Sequence, residues 1–273
     1  MPRSDRMSEA SRHVANLFLR YGSSLTSLRR IPVLGTALSW ASRKLLPRDT
    51  LMWVRIQAGH AEGLWILVNP RTGQSTLQGL GEPVVQQALV DYLRPGMTFY
   101  DVGANIGFFS LLAARIVGPF GHVVSFEADP EIAARLRENL ARNEFAQATV
   151  VQKAVWSEPS TVFFVRVDAN ISPDRGLGYV STSSDAGNTI AVDAVSLDAF
   201  PSSYPSPDFI KCDVEGAEAA VFEGTERILR EKCPILLVEM HSARNHRELS
   251  RKFAQFGYRC SNLDENHVLA LPQ

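Results

Sequence analysis

The chain has 273 residues, with 28 Lys and Arg against 29 Asp and Glu, a formal net charge of -1, 45% hydrophobic residues and 21% charged residues. These proportions are those of an ordinary globular protein and exclude wholesale disorder. The even charge balance speaks against a dedicated nucleic-acid binder, which needs a basic surplus to hold phosphates.

Cys212, Cys233 and Cys260 are odd in number and widely spaced, with no disulfide framework and no CxxC zinc signature. A reducing, cytoplasmic setting is expected. No apolar run reaches the roughly 18 residues that span a bilayer. Ile31 to Ser42, after Arg29 and Arg30, resembles a short signal core. It lies too far from Met1 and contains Gly35, so no cleaved signal is expected.

The charge is unevenly spread. Residues 1 to 48 carry nine Lys and Arg against two acids, which leaves 19 basic and 27 acidic residues in the remainder. A basic, amphipathic head is thus joined to an acidic body. The favoured expectation for residues 1–50 is a helical extension packed on the body or on a partner subunit, as in a homodimer. The competing one is an interfacial membrane anchor.

Met52 to Val68 reads as two strands around Gly59 to Gly63, a hairpin lead-in within residues 51–80. Glu82 to Leu93 reads as a helix with Pro83 in its first turn. Thr98 to Val102 is a short apolar strand, Phe108 to Val117 a buried helix and His122 to Phe126 the next strand. The helix from Pro130 carries Ile132, Leu136 and Leu140 on one face. Strands follow at Thr149 to Gln152 and Thr161 to Val167. Residues 168–189, rich in Ser, Gly, Asp and Asn, read as a long loop, either a lid or a flexible excursion. Val192 to Leu197 and Asp208 to Cys212 are strands, and Ala217 to Leu229 is one helix. Pro234 to Glu239 is the most hydrophobic strand. A helix over Asn245 to Phe256 and two strands, Tyr258 to Ser261 and Val268 to Leu271, close the chain. Strands alternating with helices of this length predict an α/β, doubly wound, mostly parallel sheet, with ligands at the carboxyl ends of its strands.

The densest segment is Tyr100-Asp101-Val102-Gly103-Ala104-Asn105-Ile106-Gly107. Its spacing is D-x-G-x-N-x-G, not the G-x-G-x-x-G of a dinucleotide site. Glycine suits a turn that a ligand approaches closely. Asp101, at the strand end, would repel a pyrophosphate and suit a cationic or zwitterionic ligand, such as the aminocarboxypropyl arm of S-adenosylmethionine. Glu127, twenty positions after Gly107 in Phe126-Glu127-Ala128-Asp129, stands where an acid accepts bonds from both ribose hydroxyls. Gln152-Lys153-Ala154 is placed to meet an adenine edge. Each feature alone also has a plain structural explanation, as a tight turn or a helix cap.

A second constellation is Lys211-Cys212-Asp213-Val214-Glu215-Gly216-Ala217-Glu218, and a third is Glu239-Met240-His241. Glu239 and His241 share a face of an extended strand. If the two strands adjoin, roughly 4.8 Å apart, Asp213, Glu215, Glu239 and His241 converge on one cleft wall. His241 is then a base or a substrate clamp, with Asp213 and Glu215 positioning cofactor and acceptor. Lys211 is expected to pair with a nearby acid; a catalytic amine is the other option. The same acids and His also suit a divalent metal. The expectation is nonetheless no resident metal.

These segments, with Ser196-Leu197-Asp198 and Gly81-Glu82-Pro83, resemble the FkbM family of S-adenosylmethionine-dependent methyltransferases over about residues 80 to 241. Cys212 departs from the family's usual aliphatic residue. The resemblance implies a class I methyltransferase (Rossmann-like) fold with a seven-stranded sheet in residues 81–273. It implies O-methylation of a sugar or natural-product hydroxyl, a small-molecule acceptor and no nucleic acid. Asp101, Gly103, Asn105, Gly107 and Glu127 would contact the cofactor, Glu82 would reach its amino group, and Ala104, Ala128, Asp129 and Asp213 stand in the same motifs. The competing functions are an NAD(P)-dependent oxidoreductase, a metal-dependent O-methyltransferase, a nucleic-acid methyltransferase lacking its N-P-P-Y tetrad, and a non-catalytic membrane module.

Overall fold

Short apolar runs separated by helix-length stretches assemble into one central sheet. The computed structural model describes residues 51–69, 73–166, 178–181 and 188–273. The basic head expected to be helical lies outside them. The described residues before Glu82 and those from Glu82 onward form two units. In the first, β1 (Met52–Arg55) and β2 (Trp65–Val68) pair antiparallel, Met52 opposite Val68. A single helical turn, α1 (Gln74–Leu77), follows.

The second unit opens with α2 (Pro83–Tyr92), β3 (Thr98–Val102), α3 (Phe108–Val117), β4 (His122–Phe126), α4 (Pro130–Arg142) and β5 (Ala148–Val151). It continues through β6 (Ala154–Val155), β7 (Ser160–Val165), β8 (Tyr179–Ser181), β9 (Thr189–Val195) and β10 (Phe209–Cys212). Then come α5 (Glu218–Glu223), α6 (Glu226–Glu231), β11 (Ile235–Glu239), α7 (Ala243–Gln255), β12 (Tyr258–Asn262) and β13 (His267–Pro272).

Seven strands form the main sheet in the order β12-β13-β11-β10-β3-β4-β5. Neighbours from β11 to β5 are parallel, and β13 runs antiparallel to both its neighbours. This is the doubly wound, mostly parallel sheet that the alternating pattern predicts. Every residue of β3 and β10 is buried, as strands covered on both faces require. The chain leaves β3 toward β4 on one side and returns to β10 on the other. The crevice at the carboxyl ends of β3 and β10 is therefore the switch point, where such sheets bind ligands.

Three features depart from the expected elements. The strands after β5 do not extend the main sheet. β6, β9, β7 and β8 form a separate four-stranded sheet, with β7 antiparallel to both β8 and β9. The stretch 168–189 is not wholly loop, because Tyr179–Ser181 pairs with Phe163–Val165. The single helix expected over 217–229 breaks into α5 and α6 at Gly224 and Thr225. A Cβ on Gly224 would lie 2.4 Å from the Trp156 carbonyl oxygen, so the chain needs glycine there. Asp198 then caps α6 from a distance: its carboxylate accepts from the Arg227 and Ile228 amides at 2.8 and 2.9 Å. The Ser196-Leu197-Asp198 motif thus has a structural task.

Candidate active site

The site grows from the turn after β3. Gly103 and Gly107 adopt φ of 78° and 90°, and Asn105 between them is also left-handed at 50°. A Cβ on Gly103 would fall 1.8 Å from the Asp213 carbonyl oxygen, and one on Gly107 would fall 2.1 Å from Leu136 Cδ1. Both glycines are therefore required by backbone angle and by packing against Asp213 and α4. Close ligand approach, the reason offered by the sequence, is not needed to explain them.

Glu127, at the end of β4, closes this turn. Its Oε2 accepts from the Asn105 amide and its Oε1 from the Asp129 amide, both at 2.8 Å. The carboxylate is buried yet lines a cleft with Gly103, Asn105, Ala128, Lys153 and Ala154. Burial pushes its pKa up to about 7, against the two amide bonds that lower it. Phe126, Ile132 and Val155 give the cleft an apolar lining that suits an adenine ring. The residues present fit an adenosyl group: each Glu127 oxygen keeps a lone pair for a ribose hydroxyl.

Asp129 and Ala104 lie outside this lining. Asp129 caps α4, accepting from the Glu131 amide at 2.8 Å, and pairs with Arg166 at 2.7 Å. Asp101 is also off the cleft wall. Only 1% exposed, it accepts from the Ser110 hydroxyl at 2.6 Å through Oδ2, while its Oδ1 has no hydrogen-bond partner. Burial pushes its pKa up, and the Lys211 cation 3.7 Å from Oδ1 opposes this. The bare carboxylate inferred from sequence is thus covered by Lys211.

Lys211 is the paired lysine anticipated in β10. Its Nζ stands 3.4 Å from Asp213 Oδ2 and 5.0 Å from the Phe109 ring centroid. Burial alone would lower its pKa; Asp213 and Asp101 outweigh this and hold it charged above the ordinary lysine value. Lys211 therefore binds the two strand-end acids together rather than offering a free amine.

Asp213 stands at a junction, lining the cleft with Glu215 while its Oδ1 lies 3.7 Å from His241 Nε2. The same Nε2 is 3.4 Å from Glu215 Oε2 and 3.7 Å from Glu239 Oε1. The strands adjoin and the four residues converge, as the spacing suggested. His241 Nδ1 is held at 2.7 Å by Glu218 Oε1, whose carboxylate is fully buried and also bonded by Asn245 and the Gly216 amide. That bond, with the other acids, raises the His241 pKa to about 9 despite partial burial. Glu239 is pushed up to about 7, by burial first and then by Asp213. With both ring nitrogens facing carboxylates, His241 is held as a cation at neutral pH.

Sequence reasoning missed a second histidine. His267 Nδ1 lies 2.9 Å from both oxygens of Asp264, and its Nε2 faces Glu82 at 3.4 Å and Glu239 at 3.8 Å. Glu82 is thus brought to His267; it precedes α2 with a left-handed φ of 43°. The signal available was the short Asp264-to-His267 spacing, which means nothing until β13 pairs with β11.

The strand order, the glycine turn after the central strand and the ribose-facing acid on the next strand define a class I, S-adenosylmethionine-dependent methyltransferase domain. Residues 101–260 match the family described as the methyltransferase FkbM domain, and the chain belongs to that family. Among relatives, it is 27% identical over 179 residues to the hexuronic acid methyltransferase AglP of Haloferax volcanii, covering 64% of this chain and 69% of that protein. It is 31% identical over 150 residues to the arsenite methyltransferase of Halobacterium salinarum, covering 52% of this chain and 36% of that protein. The chain thus spans about a third of the arsenite enzyme's length. The solved methyltransferase FkbM of Methylobacillus flagellatus KT is 19% identical, over 68% of this chain and 50% of that one, with a TM-score of 0.47. Among the described residues, no helix is long and apolar enough to cross a membrane.

Proposed function

We propose that the chain O-methylates a hydroxyl of a polyhydroxylated small molecule of the sugar or natural-product kind. The observation that carries this is the ring of Asp213, Glu215 and Glu239 around His241, joined to the cofactor cleft through Asp213. Carboxylates in a ring accept hydrogen bonds from hydroxyls and disfavour phosphates, which sets nucleic acid aside. The similarity to a hexuronic acid methyltransferase supports a sugar-type acceptor.

S-adenosylmethionine, when bound, supplies an electrophilic methyl group on a sulfonium. Glu127 accepts the ribose hydroxyls, and Gly103, Asn105, Ala128, Lys153 and Ala154 shape the cleft around the nucleoside. Lys211 covers Asp101, so it is Asp213 and Glu215, on the cleft wall, that face the cationic end of the ligand. Glu215 and Glu239 hold the acceptor hydroxyl, and Glu239 takes its proton. His241, fixed through Nδ1 by Glu218, keeps the carboxylates in register.

The test is transfer of a labelled methyl group to a panel of polyols, phenols, carboxylic acids and RNA. Label in a polyol, transferred about tenfold more slowly by His241→Ala, is the expected result. Label confined to acids or RNA overturns the assignment.

A further inference from the structure

We infer that Glu82, Glu239 and His267 form a binding site for one divalent cation of the Zn2+ or Mn2+ type. This runs against the metal-free expectation from sequence, and it uses residues that the sequence did not group. Glu82, Asp264 and His267 also lie outside the segment that matches the family, 101–260.

The first observation is the donor set. One oxygen of Glu82, one of Glu239 and one nitrogen of His267 lie within 4.8 Å of one another. Nε2 stands 3.4 Å from Glu82 Oε2 and 3.8 Å from Glu239 Oε2. A point equidistant from such a triangle lies roughly 2 Å from each corner, the bond length of a small divalent ion to nitrogen or carboxylate oxygen. Two carboxylates and one neutral imidazole balance a 2+ charge, and mixed nitrogen and oxygen donors suit Zn2+ or Mn2+ over Ca2+.

The second observation is independent of the acidic cluster. The His267 side chain is only 8% exposed, and its Nε2 has no hydrogen-bond partner. A buried ring nitrogen that faces two carboxylates at 3.4 and 3.8 Å without a hydrogen bond to either leaves three donor groups converging on one point, which a cation placed between them would satisfy together. The opposite nitrogen, Nδ1, is fixed by Asp264, itself anchored by the Asn266 and His267 amides at 2.9 and 2.8 Å. A carboxylate behind the histidine, fixing its tautomer and turning Nε2 forward, is the usual support of a metal-binding imidazole.

Glu239 connects the site to the acceptor ring, with Oε1 toward His241 and Oε2 toward His267. Three protein donors leave coordination positions open, and Glu82, 40% exposed, lets a ligand in. A hydroxyl oxygen bound there would be held and acidified. That role rests on the acceptor assignment above; the binding of the cation does not.

The experiment is calorimetric titration of Zn2+ and of Mn2+ into the chelator-treated full chain, with S-adenosylhomocysteine titrated into the same samples. One cation per chain is expected. Glu82→Gln and His267→Gln should each lower the affinity at least tenfold, and Asp264→Asn by roughly 10–100-fold. S-adenosylhomocysteine affinity should hold in His267→Gln and Asp264→Asn, and a cooperative thermal melt of the metal-free chain, matching wild type, shows that Glu82→Gln is folded. A wild-type chain that binds S-adenosylhomocysteine but neither cation overturns the site, as does uptake unchanged by both Glu82→Gln and His267→Gln. Cation uptake lost in those variants, in a chain that never binds S-adenosylhomocysteine, supports the site and overturns the methyltransferase assignment instead.

Discussion

The two halves of the site are built differently. At the ends of β3 and β4, the cofactor half is made by backbone: three alternate turn residues at positive φ, two amides closed onto Glu127, and glycines packed against Asp213 and α4. At the ends of β10 and β11 and the start of β13, the proposed acceptor half is made by side chains. Glu82, Asp213, Glu215, Glu218, Glu239, His241, Asp264 and His267 come from four separate stretches of chain. A site of backbone is unforgiving of shape; a site of coupled charges is unforgiving of the loss of any one charge.

The sharpest way to break that contrast is Gly103→Ala. Its Cβ would meet a carbonyl oxygen at 1.8 Å in a left-handed backbone. It should cost about 4 kcal/mol, read as a lowered denaturant midpoint or loss of soluble protein. Lys211→Met comes next. It leaves Asp101 and Asp213 facing each other without their cation, and about 3 kcal/mol of stability should go in urea unfolding. Little loss would mean that Asp101 is already neutral.

Glu127→Gln keeps the shape and removes the charge. Calorimetry with S-adenosylhomocysteine should show affinity lower by about 30-fold, near 2 kcal/mol for charge-assisted bonds. His241→Ala should lower kcat by about tenfold while leaving S-adenosylhomocysteine affinity within about twofold. Equal loss of both would place His241 in the cofactor half.

The smallest effect is pH dependence within the backbone-built half. With the Glu127 pKa raised to about 7, ribose binding to the ionised form should weaken about eightfold from pH 7.5 to 6. The sign for stability is opposite. A carboxylate raised from 4.5 stabilises the apo fold fully below pH 4.5 and loses this as pH rises through about 7. Thermal melts should therefore show a ligand-induced shift that grows from pH 6 to 7.5; in Glu127→Gln this growth should vanish.

The unequal legibility of the two halves follows from the same contrast. The glycine turn, the acid after β4, the buried helix Phe108–Val117 and the strands Thr98–Val102 and His122–Phe126 all stood in the sequence, because each depends on residues within a few positions of one another. Residues within two or three positions also signalled Asp213, Glu215, Glu239 and His241. Their convergence needed one further fact, that β10 and β11 adjoin. The break at Gly224 was hidden because its cause, the Trp156 carbonyl, lies 68 positions away in sequence.

From the amino-acid order alone came the α/β class, the alternation of strands and helices, and the cofactor turn, since periodicity and local stereochemistry decide these. Only the folded chain decided that Asp101 is covered by Lys211, that Glu218 holds His241, and that Glu82 meets His267. Those pairings join charges from distant segments. Coulomb attraction between them acts only after strand order and burial have brought them together and removed the water that would screen them.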